Sequence, residues 1–422
     1  MKIRTRSLPY AKVMALPRPK HHNPLRPPMF FRTLIRALSI PTLLNTKFSW
    51  KGERMELVGD QPCLILMNHS SFTDLKVAYA IFYPRPFCIV ATTDSCVGKN
   101  WLMRLIGSIP TQKFVTDMTL IRDMRYALEN RKSSVLMFPE AGYSLDGRAT
   151  VLPRHLGVLL KRLKAPVVTV TTWGAYARDP LYNGLQIRKV KVSADVKCVL
   201  TPEEIKEKSI EELDEIIHSA FRFDQFAWQR DNRVRINEPF RADGLHRMLY
   251  KCPACRAEGE MEGKGVQLTC HHCGKQYELE PYGTLRALSG KTEFPHIPDW
   301  FDWQREQVRQ EILAGTYCLD TDVDIGMMVD HKALYMVGSG RLRHDESGFV
   351  LTGCDGQLRY EQDPLASHSL NVDYFWYEIG DVISIGNRDA LYYCFPKQKD
   401  VVTRARLAAE ILYQMKKDAP RA

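Results

Sequence analysis

The stretch Pro62-Cys-Leu-Ile-Leu-Met-Asn-His-Ser-Ser-Phe-Thr-Asp74 decides how the first half of this chain is interpreted. Its apolar run, residues 63–67, predicts one buried strand, and residues 72–82 predict the helix that follows. Asp74 then lies in the first turns of that helix, five residues after His69, so its carboxylate can turn back toward the imidazole. A carboxylate that holds one ring nitrogen leaves the other as a base. The alternative is an N-capped helix with a surface histidine and aspartate.

Length and charge set the broad class of the protein. A chain of 422 residues is too long for one core, and a net charge of +10 favours an anionic partner: nucleic acid, a membrane surface or a phosphorylated substrate. The chain has no apolar run long enough for a transmembrane helix and no secretory signal. Its 11 cysteines therefore indicate a reducing compartment, with metal ligands or free thiols. We expect a cytoplasmic protein, peripheral on the inner face of a membrane.

Residues 1–48 are a basic arm, since no acidic residue precedes Glu53. Within the arm, residues 29–40 predict an amphipathic helix that contacts an anionic membrane. The alternative is that the apolar face packs on the next domain. Its apolar face carries Phe30, Leu34 and Leu38, and its opposite side carries Arg32 and Arg36.

Residues 49–240 alternate short apolar runs with helical patterns, which predicts an α/β sheet flanked by helices. Functional residues of such sheets gather on the loops after strands. Glu140 directly follows the run 134–138 and would emerge at the same end of the sheet as His69, where Lys113 could join them. The predicted strands are 63–67, 87–91, 134–138, 167–171 and 189–196, and the predicted helices are 72–82, 100–106, 118–131, 154–163 and one that begins at residue 201.

Four blocks of this region resemble the glycerolipid acyltransferases, the 1-acyl-sn-glycerol-3-phosphate acyltransferase family. Asn-His-Ser-Ser-Phe-Thr-Asp at 68–74 resembles the NHxxxxD motif, and Phe-Pro-Glu-Ala-Gly at 138–142 resembles the FPEGT block. Gly-Ser-Ile-Pro-Thr-Gln-Lys at 107–113 and Ala-Pro-Val-Val-Thr-Val at 165–170 resemble the middle and closing blocks. The blocks stand in the family's order over about residues 50–200.

This resemblance implies an O-acyltransferase. His69 would be the general base on a lysophospholipid hydroxyl, which attacks the thioester of acyl-CoA or acyl carrier protein, and Asp74 would orient His69. The expected acceptor is 1-acyl-sn-glycerol-3-phosphate, which gives phosphatidic acid. The expected substrate-binding residues are Lys113, Glu140, Gly142, Tyr143, Arg148 and Arg154.

One departure from the family bears on the acceptor. Tyr143 stands where the family block FPEGTRS has an arginine, and tyrosine cannot replace a bidentate guanidinium–phosphate contact. Either Arg148 or Arg154 supplies that contact, or the acceptor is a different lipid. A further alternative is a catalytically dead acyltransferase fold that serves as a lipid- or protein-binding scaffold.

Residues 241–285 predict a zinc ribbon. Two CxxC pairs, Cys252/Cys255 and Cys270/Cys273, can place four thiolates around one structural zinc ion. The alternative, four free cysteines, would leave this short segment without the metal ion or cross-link that such a small fold needs for stability. A ribbon can also bind nucleic acid, but the basic residues concentrate in residues 1–36, so the sequence predicts no nucleic-acid partner.

Residues 286–422 predict a β-rich domain that ends in a helix. Seven short β-type runs precede an amphipathic segment, 401–416. In layout only, this resembles a pleckstrin-homology or GRAM-like barrel, which implies a lipid- or protein-contact module. The alternative is a structural appendage that covers the acyltransferase domain.

Overall fold

The computed structural model describes residues 2–115, 117–154 and 156–419. These residues divide into two compact units. The N-terminal unit is Lys20–Pro180 with Ile187–Gln225. The C-terminal unit holds Leu181–Gln186, the chain from Phe226 onward and the residues before Lys20. Strands and helices are numbered along the chain, so the first two, β1 (Thr5–Ser7) and α1 (Tyr10–Met14), belong to the C-terminal unit.

The N-terminal unit contains one seven-stranded sheet with the spatial order β2-β8-β7-β3-β6-β4-β5. The five strands from β7 to β5 are parallel, and β8 runs antiparallel beside β7. The predicted α/β class is confirmed. The strands are β2 (Ser49–Glu53), β3 (Leu64–Met67), β4 (Phe87–Thr92), β5 (Ser108–Thr111), β6 (Ser134–Met137), β7 (Val167–Trp173) and β8 (Ser193–Leu200).

Helices cover both faces of this sheet because successive residues of its central strand point in opposite directions. Leu64 and Leu66 of β3 pack in one core layer, with side chains of α5, α6 and α9. Ile65 and Met67 pack in the other layer, with side chains of α2 and α3. The helices are α2 (Met29–Asn45), α3 (Asp74–Phe82), α4 (Asn100–Leu105), α5 (Met118–Glu129), α6 (Leu156–Leu163), α7 (Ala175–Arg178), α8 (Pro202–Glu207) and α9 (Ile210–Ala220).

Helix α2 packs on the sheet through one side and exposes the other. Leu43 is buried in the core, and Arg32, on the predicted basic side, is only 8% exposed and donates a hydrogen bond to the Pro84 carbonyl oxygen. The guanidinium group of Arg32 therefore binds a loop of the same unit. Phe30 and Leu38 remain 70% and 67% exposed. Among the described helices, none is long and apolar enough to cross a membrane.

Two predicted elements of the N-terminal unit differ from the structure by more than two residues, and strands β2 and β5 were not predicted. Strand β8 lies four residues later than predicted, because the alternation of buried residues continues to Leu200 before the Thr201 cap. The single helix predicted to begin at residue 201 is two helices in the structure, α8 and α9. Ser209 makes a second capping box, so α8 ends at Glu207 and α9 begins at Ile210.

The C-terminal unit begins with a short helix and a small antiparallel sheet of order β12-β11-β10-β9. The four predicted metal ligands lie beside this sheet: Cys270 ends β10, Cys273 follows in the next turn, and Cys252 and Cys255 precede β9. The elements are α10 (Gln225–Asp231), β9 (Met261–Lys264), β10 (Gln267–Cys270), β11 (Gln276–Leu279), β12 (Leu285–Ala287) and α11 (Ile297–Leu313).

A larger sheet of order β16-β15-β14-β13-β19-β18-β17 follows, as the pattern of seven short runs predicted. Strand β1 adds to it, parallel to the first residues of β14, with Thr5 opposite Leu334. Helix α12 packs by an almost wholly buried face that includes Val402 and Leu407. The elements are β13 (Leu319–Met328), β14 (Leu334–Asp345), β15 (Gly348–Gly353), β16 (Leu358–Gln362), β17 (Asn371–Trp376), β18 (Gly380–Gly386), β19 (Leu391–Pro396) and α12 (Val401–Asp418).

Buried ion pairs join the cysteine-bearing segment to the helices of this unit. Lys251 Nζ lies 2.9 Å from both Glu258 and Glu311 carboxylate oxygens, and Arg404 lies 2.7 Å from Glu311. The segment therefore shares one compact unit with the β-rich domain, whereas the sequence predicted separate domains 241–285 and 286–422. Residues 2–19 also differ from the single arm predicted for 1–48, because β1 pairs with β14.

Candidate active site and metal centre

His69 and Asp74 meet as their spacing predicted, on the loop between β3 and α3. His69 Nδ1 lies 3.0 Å from Asp74 Oδ2, which also accepts hydrogen bonds from the backbone N–H groups of Ser70 (2.9 Å) and Ser71 (3.0 Å). The carboxylate is 1% exposed. Three donors thus fix one carboxylate oxygen, and this oxygen fixes the Nδ1 edge of the imidazole.

The backbone of His69 is held on both sides by the loop after β6. Its N–H donates to Glu140 Oε1 at 3.2 Å, and its carbonyl oxygen accepts from Ser144 N at 3.0 Å. Glu140 is fully buried and its second oxygen accepts from Thr150 N at 2.9 Å. The sequence predicted Glu140 at the same end of the sheet as His69. In the structure its carboxylate accepts hydrogen bonds from the backbone N–H groups of His69 and Thr150.

Aromatic rings cover both faces of the imidazole. Phe138 stacks on one face with ring centroids 4.0 Å apart, and Tyr143 also stacks on His69 at 4.1 Å. The exposed ring of Phe72 meets Tyr143 edge-on at 6.1 Å. Tyr143 therefore lies at the site as predicted, but it contacts the imidazole through its ring.

These contacts leave one edge of the imidazole open. Among the described residues, no hydrogen-bond partner meets His69 Nε2, and the side chain is 20% exposed. Burial lowers the pKa of His69 below its ordinary value, the hydrogen bond and charge of Asp74 raise it, and the charge of Lys113 lowers it. The charge of the half-buried Lys113 therefore acts on the imidazole. An unprotonated Nε2 facing solvent can accept a proton from a bound hydroxyl.

Asn68, the residue before His69, is hydrogen-bonded to strand β7. Asn68 Oδ1 accepts hydrogen bonds from Thr172 N at 2.8 Å and Thr172 Oγ1 at 3.0 Å, while Asn68 Nδ2 donates to the Thr172 carbonyl oxygen. Asn68 and Thr172 are both fully buried. The asparagine of the motif thus ties the His69 loop to the neighbouring strand.

The remaining predicted substrate residues lie near the same loops with different roles. Gly142 is buried in the loop after β6, and a Cβ there would meet no atom within 4 Å. Arg148 pairs with Asp146, at 2.8 Å from Nε and 2.7 Å from Nη2. Arg154 is half-buried in the turn ahead of α6. The guanidinium of Arg148 is therefore occupied by a carboxylate of its own loop.

Four residues that support the site, Phe138, Ser144, Thr172 and Asp179, were not among the predicted site residues. Thr172, Phe138 and Ser144 follow or end apolar runs, where side-chain contacts depend on the order of strands in the sheet. Asp179 is 3% exposed and lies beside Arg178, whose Nη1 donates to Thr73 Oγ1 at 3.0 Å. Buried polar residues just after a strand are the signal that could have indicated them.

The four predicted cysteines converge in the C-terminal unit. Cys252 Sγ lies 3.8 Å from Cys273 Sγ, Cys255 Sγ lies 3.7 Å from Cys270 Sγ, and all four sulfurs lie within 4.8 Å of one another. A tetrahedral ion with metal–sulfur bonds of about 2.3 Å has sulfur–sulfur edges of about 3.8 Å. The cluster therefore fits a metal ion bound by four thiolates, and such a shell is closed to substrate.

Comparisons with known proteins agree with the N-terminal site. The profile of the family described as Acyltransferase matches residues 48–173. A chloroplastic 1-acyl-sn-glycerol-3-phosphate acyltransferase, BAT2 of Brassica napus, is 24% identical over 117 residues, which are 27% of this chain and 34% of that relative. The match thus spans about a third of the relative's length.

A solved structure is similar as well. The crystal structure of the 1-acyl-sn-glycerophosphate (LPA) acyltransferase PlsC from Thermotoga maritima aligns with 19% identity and a TM-score of 0.37, over 46% of this chain and 77% of PlsC. The family profile includes the loops that carry His69, Asp74 and Glu140. Residues 48–173 therefore match the acyltransferase family, and the same chain also carries a four-cysteine cluster and a β-rich region.

Proposed function

We propose that this protein transfers a fatty acyl group from an acyl thioester, acyl-CoA or acyl carrier protein, to a hydroxyl of a lysophospholipid. One observation carries the proposal: Asp74 holds His69 Nδ1 at 3.0 Å, while the Nε2 edge stays open. The pair is the base and orienter of a hydroxyl-activating site. A catalytically dead scaffold would not require the imidazole to be fixed at its backbone, its Nδ1 edge and both ring faces.

The reaction requires no acyl-enzyme intermediate. His69 Nε2 takes the proton of the acceptor hydroxyl while the hydroxyl oxygen attacks the thioester carbonyl carbon. The tetrahedral intermediate collapses, the C–S bond breaks, and the imidazolium returns the proton to the leaving thiolate. Asp74 stabilises the imidazolium through Nδ1–H, and Lys113 or loop N–H groups stabilise the oxyanion.

We propose 1-acyl-sn-glycerol-3-phosphate as the acceptor, with phosphatidic acid as the product. The ammonium group of Lys113, whose charge reaches His69, supports an anionic acceptor. The occupied guanidinium of Arg148 and the stacked ring of Tyr143 support the alternative, a lipid acceptor with another headgroup.

A panel assay tests this function. Purified protein is incubated with labelled acyl-CoA or acyl carrier protein and with lysolipids that carry phosphate, zwitterionic or neutral headgroups. We expect one acylated lipid, with lysophosphatidic acid the best acceptor. Product from another headgroup alone would select the alternative acceptor. Absence of product with every donor and acceptor, in a protein that still binds lipid, would support the scaffold.

We also propose that α2 places the protein on the inner, cytoplasmic face of an anionic membrane. The exposed Phe30, Leu34 and Leu38 lie on one face of the helix, and the N-terminal unit carries 29 lysines and arginines against 20 acidic residues. Apolar and basic groups together suit an anionic lipid interface.

Vesicle flotation tests this attachment. Leu38→Glu should weaken binding to anionic vesicles about tenfold or more, because a leucine side chain contributes about 1.5–3 kcal/mol when buried in an apolar phase. Leu288→Glu, at an exposed leucine of the C-terminal unit, is the matched control. Equal binding by wild type and Leu38→Glu would contradict this attachment.

For the four-cysteine cluster we propose a structural zinc ion, since four thiolates close its shell and leave no site for substrate. For the sheet of β13–β19 with α12 we propose a pleckstrin-homology or GRAM-like role in lipid or protein contact. The strand order and the closing helix support this role.

A further inference from the structure

A buried ion pair lies beneath the His69 loop and has no part in the mechanism above. Asp179 Oδ2 accepts from Arg178 Nη1 at 3.0 Å, just after α7. The two side chains are 4% and 11% exposed. A buried ion pair is costly to desolvate and is weak evidence for a stabilising role. Its contacts with the loop point to another function.

A chain of hydrogen bonds connects this pair to Asp74. Arg178 Nη1 donates to Thr73 Oγ1 at 3.0 Å, and Thr73 Oγ1 accepts from Ser71 Oγ at 2.7 Å. Ser71 N then donates to Asp74 Oδ2 at 3.0 Å, the same oxygen that holds His69 Nδ1. The pair therefore supports the residues that orient the imidazole.

Charge connects the two carboxylates as well. Burial raises the pKa of Asp179 to about 6, Arg178 lowers it, and the charge of Asp74 raises it. Interaction between two charges is mutual, so an ionised Asp179 also acts on Asp74 and on the imidazolium beyond it. The titratable or charged groups that act on these sites are Arg178 and Asp74 at Asp179, and Asp74 and Lys113 at His69.

We propose that Asp179, held by Arg178, is a positioning residue that sets the proton affinity of the His69–Asp74 pair. The proposal rests on the proposed function, because it concerns the base of that reaction. A negative charge behind Asp74 favours the imidazolium. Removing it makes His69 a weaker base that loses its proton at lower pH.

The variant Asp179→Asn removes the charge and keeps the shape. We expect the imidazole of His69, followed by NMR without substrate and assigned by its loss in His69→Ala, to titrate about half a pH unit lower. The acid limb of kcat/KM should move in the same direction, and kcat/KM at neutral pH should fall about twofold to threefold, because the base is weaker by about half a pH unit. A structural role alone would not move the titration.

Two further variants keep the test decisive. Asp123→Asn is the matched control, since Asp123 is a 4% exposed carboxylate of the same unit that pairs with His21 at 2.9 Å. It should leave the His69 titration unchanged. Asp179→Ser also removes the negative charge, places a hydroxyl group beside Arg178 and should move the titration to lower pH, which provides the test if Asp179→Asn does not fold.

An unchanged His69 titration in a folded Asp179→Asn or Asp179→Ser protein would overturn the proposal. The same shift in Asp123→Asn would also overturn it. Because the titration needs no turnover, absence of acyl transfer with every acceptor would reject the proposed function and leave this measurement intact.

Discussion

The imidazole site and the four-cysteine cluster are both polar centres, but they are assembled in opposite ways. His69, Glu140 and Thr172 come from loops and strands far apart in the chain and meet because parallel strands share one end. The cysteines lie within 22 residues, from Cys252 to Cys273, on two short knuckles. The first centre leaves one nitrogen open, and the second has all four sulfurs in contact. An open position indicates chemistry, and a closed shell indicates structure.

The largest effect should come from breaking the closed shell. Cys270→Ser should lose the proposed zinc ion and destabilise the C-terminal unit by several kcal/mol, since structural zinc binding is worth about 10–16 kcal/mol in isolated fingers. The loss should spread to α11 and α12, because Lys251 and Glu258 pair with Glu311 and Arg404. Metal analysis and hydrogen exchange measure both effects.

Cys318→Ser is the control for that change, because Cys318 is an exposed cysteine of the same unit outside the cluster. It should keep the metal and the exchange pattern. Full zinc content in Cys270→Ser would mean that the shell is not made of four thiolates.

Removing the imidazole of His69 should lower the rate of acyl transfer rather than the stability of the fold. His69→Ala should lower kcat/KM for acyl transfer by roughly 10²–10⁴, because a general base is lost. His218→Ala, at an exposed histidine of the same unit, should match the wild type in activity. Thermal unfolding checks that both variants fold. A folded His69→Ala enzyme with wild-type turnover would disprove the mechanism.

A smaller effect is expected from the ring that covers the imidazole. Tyr143→Ala should lower kcat/KM by roughly threefold to tenfold, because an aromatic pair contributes about 0.5–1.5 kcal/mol. Tyr143→Phe keeps the stacked ring and should stay near wild type. If Tyr143→Phe falls as far as Tyr143→Ala, the hydroxyl group and not the stacking is what matters.

The smallest expected effect is on pH dependence. Burial lowers the pKa of His69, and the base acts unprotonated, so activity should persist below pH 6.5, the ordinary value for imidazole. Lys113→Met removes a charge that opposes protonation and should move the acid limb of kcat/KM upward by a few tenths of a pH unit. A downward shift would contradict the position of Lys113 at this site.

Local patterns predicted the parts of both centres that lie close together in the chain. The five-residue spacing of His69 and Asp74 across a helix start, and the two CxxC pairs, have few geometric solutions. The alternation of strand and helix patterns also predicted five of the seven strands of the N-terminal sheet to within four residues, and the closing helix α12 to within two. In each case the contacts that determine the local structure join residues that are close together in the sequence.

Contacts that depend on the order of strands were not predictable from one sequence. Glu140 binds backbone 71 positions away, at His69, and Arg178 reaches Thr73 across 105 positions. Arg148, considered as an anion ligand, pairs with Asp146. Nothing in composition or periodicity distinguishes a carboxylate that holds a loop from one that meets a substrate, because both follow a strand.

The path of the chain between the two units has a practical consequence for anyone who wants to excise the acyltransferase domain. A gene fragment for residues 49–240 would omit α2, whose Leu43 fills the core, and would carry a tail from Phe226 onward that belongs to the other unit. It would also include Leu181–Gln186, a loop of the other unit. A fragment from Lys20 to Gln225 would contain the whole N-terminal unit. It would still include the six residues Leu181–Gln186 without the rest of the unit to which they belong.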